Sequence, residues 1–195
     1  LAATEDKIYG RKGIGLLYVR RNNPKLELIT QMTGGGHECS YRSGTLPVPV
    51  VVGFAKAIEK CLEKMENENA WLKTLRDKMI DRIFTSHPDT NLNGSRENRL
   101  SNNINFCFPN IDAETLIIKM KGIACSTGAA CSSANLEPSH VLKAIGLKNE
   151  MAHSSIRFSL GRLNTKEEIR RAIDEIKHVL SSVKENSPRQ QLLHV

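Results

Sequence analysis

Aromatic residues are scarce in this sequence, with one tryptophan, three tyrosines and five phenylalanines. Without aromatics interleaved among basic residues, a stacking platform for single-stranded nucleic acid is missing. The surplus positive charge, +7 at neutral pH, is spread thinly apart from Arg20-Arg21 with Lys25 and the basic residues of the last helical segment. It reads as a solvated basic surface, and no nucleic-acid partner is expected. Long apolar runs are absent as well, so no segment approaches the length of a membrane span. No charged-then-apolar leader marks a secretory signal, and no membrane partner is expected. The five cysteines, Cys39, Cys61, Cys107, Cys125 and Cys131, form no CxxC and no Cys/His pattern at zinc-finger spacing. They read as free thiols of a reducing compartment, with Cys61 and Cys107 in apolar, core-like patterns. There is neither a P-loop nor a GxGxxG, and no internal repeat. The first residue is Leu1 rather than Met, as expected of a trimmed piece of a longer protein.

What is present fits a folded α/β chain. The 195 residues are 39% hydrophobic and 25% charged, an ordinary globular balance, and the length suffices to bury a real core. Residues 14–19 form a short β-prone run after the glycines of Tyr9-Gly10-Arg11-Lys12-Gly13, and residues 26–29 offer a second strand beyond Asn22-Asn23-Pro24. From Val50 the apolar period becomes helical: Phe54, Ile58 and Leu62, then Leu72, Leu75, Met79 and Ile83 after a polar interruption at residues 66–69. That pattern predicts a pair of long helices. Residues 102–108 read as a strand, 112–121 as a short helix, 123–126 as a brief strand and 155–160 as another. Thr165 with Glu168 forms a capping box for a last helix carrying Ile169, Ile173, Ile176, Leu180 and Val183 on one face. The expected organisation is 1–49 as the end of one domain, 50–186 as a smaller α+β domain, and 187–195 as a frayed tail.

Four places hold residues with chemical potential. Thr127-Gly128-Ala129-Ala130-Cys131-Ser132-Ser133-Ala134 sets a thiol among small side chains. Such a loop can swing, and nearby backbone N–H groups favour the thiolate; the plainer reading is a small residue in a tight turn. Lys7 precedes a glycine turn and an apolar strand, where an amine can form a Schiff base if desolvated; the alternative is a surface lysine. Arg157, in a strand pattern, can fork onto a carboxylate or serve a structural ion pair. Gly34-Gly35-Gly36-His37 with Arg42-Ser43-Gly44-Thr45 offers donors to a phosphate.

Taken in order, Lys7-Ile8-Tyr9-Gly10, Lys12-Gly13-Ile14-Gly15, Gly34-Gly35-Gly36-His37-Glu38, Arg42-Ser43-Gly44-Thr45-Leu46, Leu136-Glu137-Pro138-Ser139 and residues 154–162 closely resemble the NifS/IscS-type cysteine desulfurases of the class V aminotransferase group. The resemblance covers residues 7–184. It implies the fold of PLP-dependent transferases: the end of the large domain, then the small α+β C-terminal domain. It implies a homodimer that uses pyridoxal 5'-phosphate (PLP), held as a Schiff base on Lys7, to convert L-cysteine to L-alanine and a persulfide on Cys131. Arg157 then matches the arginine that holds the substrate carboxylate. Thr45 matches a threonine reaching the PLP phosphate of the other subunit, and Thr4 takes the place of a serine on that phosphate. The acceptors implied are iron–sulfur scaffold or sulfur-relay proteins, with Cys131 as a ligand of a transient [2Fe-2S] cluster shared with a scaffold. The setting implied is cytoplasmic, or the mitochondrial matrix in a eukaryote.

The sequence departs from this family at Asp6, which stands where a phosphate-facing histidine is usual, with Glu5 beside it. Carboxylates close to a phosphate dianion repel it. Arg11 replaces a proline, and Cys39-Ser40-Tyr41 replaces Arg-Gly-Met. The family's groups that stack on PLP and face its pyridine nitrogen precede the lysine, so the 195 residues alone are expected to bind PLP weakly. Three readings stay open: a desulfurase, a sulfur-carrier module with reactive Cys131 but no PLP chemistry, and an inactive fragment. Alanine release from L-cysteine separates the first from the others.

Overall fold

The computed structural model describes residues 1–22, 24, 26–128 and 138–185. The chain is a mixed α/β protein that divides into two compact units, Leu1–Glu66 and Asn67–Val195.

In the first unit, strand β1 (Ala2–Thr4) pairs antiparallel with β2 (Gly15–Leu17), Ala2 opposite Leu17 and Thr4 opposite Gly15. Between them the chain makes a 3-10 turn, Glu5–Ile8, which ends at Tyr9 in the left-handed region, φ 64°. The turn is tied at both ends: the Glu5 N–H donates to Ile14 O at 3.1 Å, and the Gly10 N–H to Glu5 O at 3.0 Å. The strand expected at residues 26–29 does not form. A strand needs a partner for its N–H and C=O groups, none pairs with this segment among the described residues, and Ile29 is 92% exposed.

Helix α1 (Val48–Ser86) begins directly after Pro47 and runs unbroken for 39 residues. The expected helix pair is therefore one helix. Residues 66–69 contain neither Gly nor Pro, and polar residues facing solvent interrupt an apolar stripe without interrupting the backbone ladder. The division between the units falls inside this polar stretch.

The second unit contains a three-stranded antiparallel sheet, ordered β3 (Asn91–Leu92), β4 (Asn103–Cys107), β5 (Ser155–Ser159). Residues 123–126 contribute only an isolated bridge, Ser126 to Arg157, rather than the expected strand. Helix α2 (Ala113–Lys119) is capped by Asp112, whose carboxylate accepts the Thr115 N–H at 2.8 Å. Two short helices, α3 (His140–Ala144) and α4 (Asn149–His153), lead into β5. Helix α5 (Lys166–Glu185) starts on the expected capping box: Thr165 N–H to Glu168 Oε2 at 2.9 Å, and Glu168 N–H to Thr165 Oγ1 at 3.2 Å.

The core of this unit joins Leu75, Met79 and Ile83 of α1, Ile104 and Phe106 of β4, Ile156 and Phe158 of β5, and Ile169, Ile173, Ile176 and Leu180 of α5. Phe106 packs edge-on against Phe84 and Phe158, each with centroids 6.1 Å apart, a favourable quadrupole arrangement. Among the described residues, no helix is long and apolar enough to cross a membrane.

Candidate functional site

The turn between β1 and β2 carries three of the candidate residues. Their convergence follows from its geometry: a 3-10 turn advances about 120° per residue, so Thr4 and Lys7 lie on one side. Asp6 links them. Lys7 Nζ donates to Asp6 Oδ2 at 3.0 Å. The hydroxyl of Thr4 and the Lys7 ammonium together hold the Asp6 carboxyl below its ordinary value, Thr4 contributing most. The Lys7 side chain is 80% exposed and that of Asp6 32%, so the amine is open to a reagent while pairing with its neighbour.

Beneath the turn lies a residue whose burial the sequence did not signal. Glu5 is 1% exposed, and its Oε2 has no hydrogen-bond partner. An acidic residue in a short polar turn reads as solvated, and burial became visible only through the close approach of two glycines. A methyl on Gly10 would sit 2.1 Å from Glu5 Cγ, and one on Gly53 of α1 would sit 3.4 Å from Glu5 Oε1. The Glu5 side chain is thus packed between the Gly10 backbone and Gly53, and it fixes the turn that presents Lys7.

Thr45 lies on a separate, exposed stretch of the same unit. The glycine-rich loop before it is built on left-handed backbone, with Gly36, Glu38, Cys39, Ser40 and Gly44 all at positive φ. Several of its N–H groups are spent locally: Gly36 N–H to Gly34 O at 2.9 Å, Ser40 N–H to His37 O at 3.1 Å, and Ser43 N–H to Met32 O at 3.0 Å. The Gly44 N–H meets His37 Nδ1 at 3.4 Å. The loop holds its own shape and leaves hydroxyls, rather than these amides, as donors for an anion.

In the second unit Arg157 is half-buried in β5. Its N–H donates to Ser126 O at 2.7 Å, and its guanidinium Nη2 donates to Ser126 Oγ at 3.2 Å. The Ser126 hydroxyl donates onward to Gly128 O at 2.9 Å. Among the described residues no carboxylate pairs with Arg157, so the structural ion pair considered from sequence is not seen there. Ser126 was missed by sequence reasoning, since nothing in the pattern marks a serine as a cross-strand partner. Cys131 lies outside the described residues. Burial pushes the thiols of Cys125 and Cys107 up, which keeps both protonated and unreactive. Among the described residues no group of three or more His, Cys, Asp or Glu is arranged to hold a metal ion.

Comparison with known proteins gives a consistent result. The family profile described as "Aminotransferase class-V" matches residues 1–172. The chain is 46% identical over 188 residues to a protein named "Cysteine desulfurase IscS" from Pasteurella multocida, covering 96% of this chain and 46% of that one. It is 48% identical over 182 residues to the protein of that name from Klebsiella pneumoniae, covering 93% and 45%. Among solved structures, a "NIFS-like protein" superposes with TM-score 0.78 and 31% identity, covering 92% of this chain and 46% of that chain. The chain spans about half the length of the curated relatives it matches.

Proposed function

Because the chain belongs to the aminotransferase class-V family, we propose that it forms part of a PLP-dependent cysteine desulfurase that moves the sulfur of L-cysteine onto Cys131. The observation that carries this reading is the sustained similarity to proteins named cysteine desulfurase over almost the whole chain. The division of roles among residues rests on the resemblance, and the geometry gives physical reasons for it.

Lys7 and Thr4 fit PLP: an exposed amine for the covalent hold and a hydroxyl for the phosphate. Asp6 does not fit the phosphate, because an ionised carboxylate only accepts hydrogen bonds and this one is held ionised by Thr4 and Lys7. Its assigned role is to orient Lys7 Nζ from 3.0 Å. Thr45 is assigned to the phosphate bound by the second subunit of a homodimer. When bound, the cofactor supplies an electron sink for the pair left at the substrate's α-carbon.

The remaining steps belong to the side chains. Arg157 forks onto the substrate carboxylate, with Ser126 Oγ at 3.2 Å holding the guanidinium in plane. Lys7 Nζ takes the proton from the substrate Cα. The Cys131 thiolate attacks the substrate sulfur, the substrate Cβ–S bond breaks, and its electron pair stays on carbon. Protonation of that carbon and return of the proton from Lys7 Nζ to Cα give L-alanine, and the sulfur remains as a persulfide on Cys131. The persulfide is then passed to a sulfur acceptor. An iron–sulfur scaffold sharing a [2Fe-2S] cluster with Cys131 is the finer form of this proposal.

The test is a PLP titration of the protein followed by visible absorbance, with Lys7→Ala as control, then alanine release from L-cysteine with Cys131→Ser as control. A weak band that requires Lys7 is expected, with any alanine formed requiring Cys131. Equal PLP binding by Lys7→Ala would overturn the role of Lys7. The two carboxylates of Glu5-Asp6 favour a second reading, a sulfur-carrier module without PLP chemistry; in that case Cys131 accepts sulfur from a persulfide donor while no alanine forms.

A further inference from the structure

The second unit contains a cleft that the desulfurase reading does not use. It has a volume of about 280 Å³ and lies between the chain after α1, the turn after β4 and the last turns of α5. The size sits just below the roughly 300–1,000 Å³ of drug-sized sites and suits a smaller molecule. The apolar lining that solvent reaches is Pro109 and Val183, with the core residues Phe108, Ile111 and Leu180 beneath, and His87, Asp89 and Lys184 complete the lining. His87 is 8% exposed and its Nδ1 has no hydrogen-bond partner. Its backbone is fixed, with the N–H on Ile83 O at 2.8 Å and the carbonyl accepting the Thr90 N–H at 3.0 Å. The imidazole is therefore held at the cleft by its main chain while one ring nitrogen stays unpaired.

Charge selects the ligand. Burial, then Lys184 and Lys177 of α5, depress protonation of His87, and Asp89 alone acts against them. The field at the imidazole is thus positive on balance. Lys184 pairs with Asp89 at 3.3 Å in an exposed, solvent-screened contact, so its ammonium is readily drawn to a better acceptor. We propose that this cleft binds a small aliphatic carboxylate, its chain on Pro109 and Val183 and its carboxylate on Lys184 beside His87. An anion there reverses the field of the lysines and raises the proton affinity of His87. Binding is then coupled to proton uptake and tightens as pH falls toward the range, below the ordinary histidine value, in which His87 protonates.

The probe is 4-methylpentanoate, with the neutral 4-methylpentanamide as isostere, titrated into the full chain and followed by NMR of the histidine ring signals. His87→Gln serves to assign the ring. The carboxylate is expected to shift the His87 signals and raise its midpoint, with affinity greater at pH 6 than at pH 8. Lys184 lies on the surface, so Lys184→Gln tests the contact without disturbing the core; affinity is expected to drop about tenfold or more, as for a lost charge-assisted hydrogen bond. Equal binding of the amide, unchanged affinity in Lys184→Gln, or no response of His87 at tens of millimolar probe would each overturn the proposal. None of these readouts depends on PLP or on Cys131, so they stand apart from the desulfurase assays.

Discussion

Replacing Gly10 by alanine places a methyl 2.1 Å from Glu5 Cγ, far inside the distance that carbon atoms tolerate. The backbone itself raises no objection, since Gly10 is not among the positive-φ glycines. Elsewhere such a Gly→Ala change would stabilise by about 0.4–1 kcal/mol through the unfolded chain. Here the methyl must push the Glu5 side chain away, and Glu5 Oε1 already borders Gly53, where an added methyl would lie at 3.4 Å. Retreat is limited on that side, so the change behaves as overpacking and costs about 1–3 kcal/mol. Removing Glu5 removes the obstacle: Gly10→Ala in a Glu5→Ala background is expected to be neutral or stabilising. The sign reversal is the signature. It is read at the Tyr9 amide, which donates to Glu5 O and which neither substitution alters. A local loss of about 1–3 kcal/mol appears as roughly 5- to 150-fold faster hydrogen exchange there. Equal exchange in Gly10→Ala and the parent, or no rescue in the double variant, refutes the account of Glu5 as the packed support of the lysine turn.

Other expectations follow from single contacts. Thr165→Ala removes one half of the capping box of α5 and should lower the stability of the second unit by about 0.5–2 kcal/mol in urea denaturation. Phe106 is fully buried, and Phe106→Ala should cost about 3–5 kcal/mol by the same measurement. His87 protonates less readily in the fold than when unfolded. Its stabilising contribution is therefore complete above the unfolded value near 6.5 and declines as pH falls below it; stability measured at pH 7.5 and 5.5 should differ less in His87→Gln. Cys39 is exposed, whereas burial raises the Cys125 thiol, so alkylation mapped by mass spectrometry should label Cys39 before Cys125 at pH 7.5.

Much of the second unit was legible because its signals are local and periodic. The capping box at Thr165 and Glu168, the apolar stripe from Ile169 to Leu180 and the alternation around Phe106 each state their own element and buried face. The first unit was less legible, because its order depends on pairing and close approach. Residues 26–29 have strand composition but no neighbour to complete a ladder, and β1 was invisible because Ala2-Ala3-Thr4 carries no β-signal before β2 is placed beside it. The long helix was misread as two since residues 66–69 break the apolar stripe, and a stripe records burial rather than backbone continuity. In the candidate site, Lys7 was marked by the glycine turn that follows it, while Thr4 and Asp6 were named through the family resemblance. Their joining through Asp6 and the burial of Glu5 required coordinates, because both depend on which way a four-residue turn faces.

On the proposed roles, Asp6 in place of a phosphate-facing histidine is more than a lost contact. A histidine can donate to a phosphate, whereas Asp6 draws on the donors around it: the Thr4 hydroxyl and Lys7 Nζ both go to its carboxylate. Thr4 is also the hydroxyl assigned to the phosphate, so one substitution removes a donor and engages a second. Changing Asp6 to asparagine should therefore release Thr4 and strengthen PLP binding even though asparagine restores no imidazole. Asp6→His should strengthen it further, because it adds a donor where Asp6→Asn mainly removes a charge. If both variants bind PLP no better than the parent, with Lys7 still required, the weakness lies outside this turn and the competition for Thr4 is not its cause.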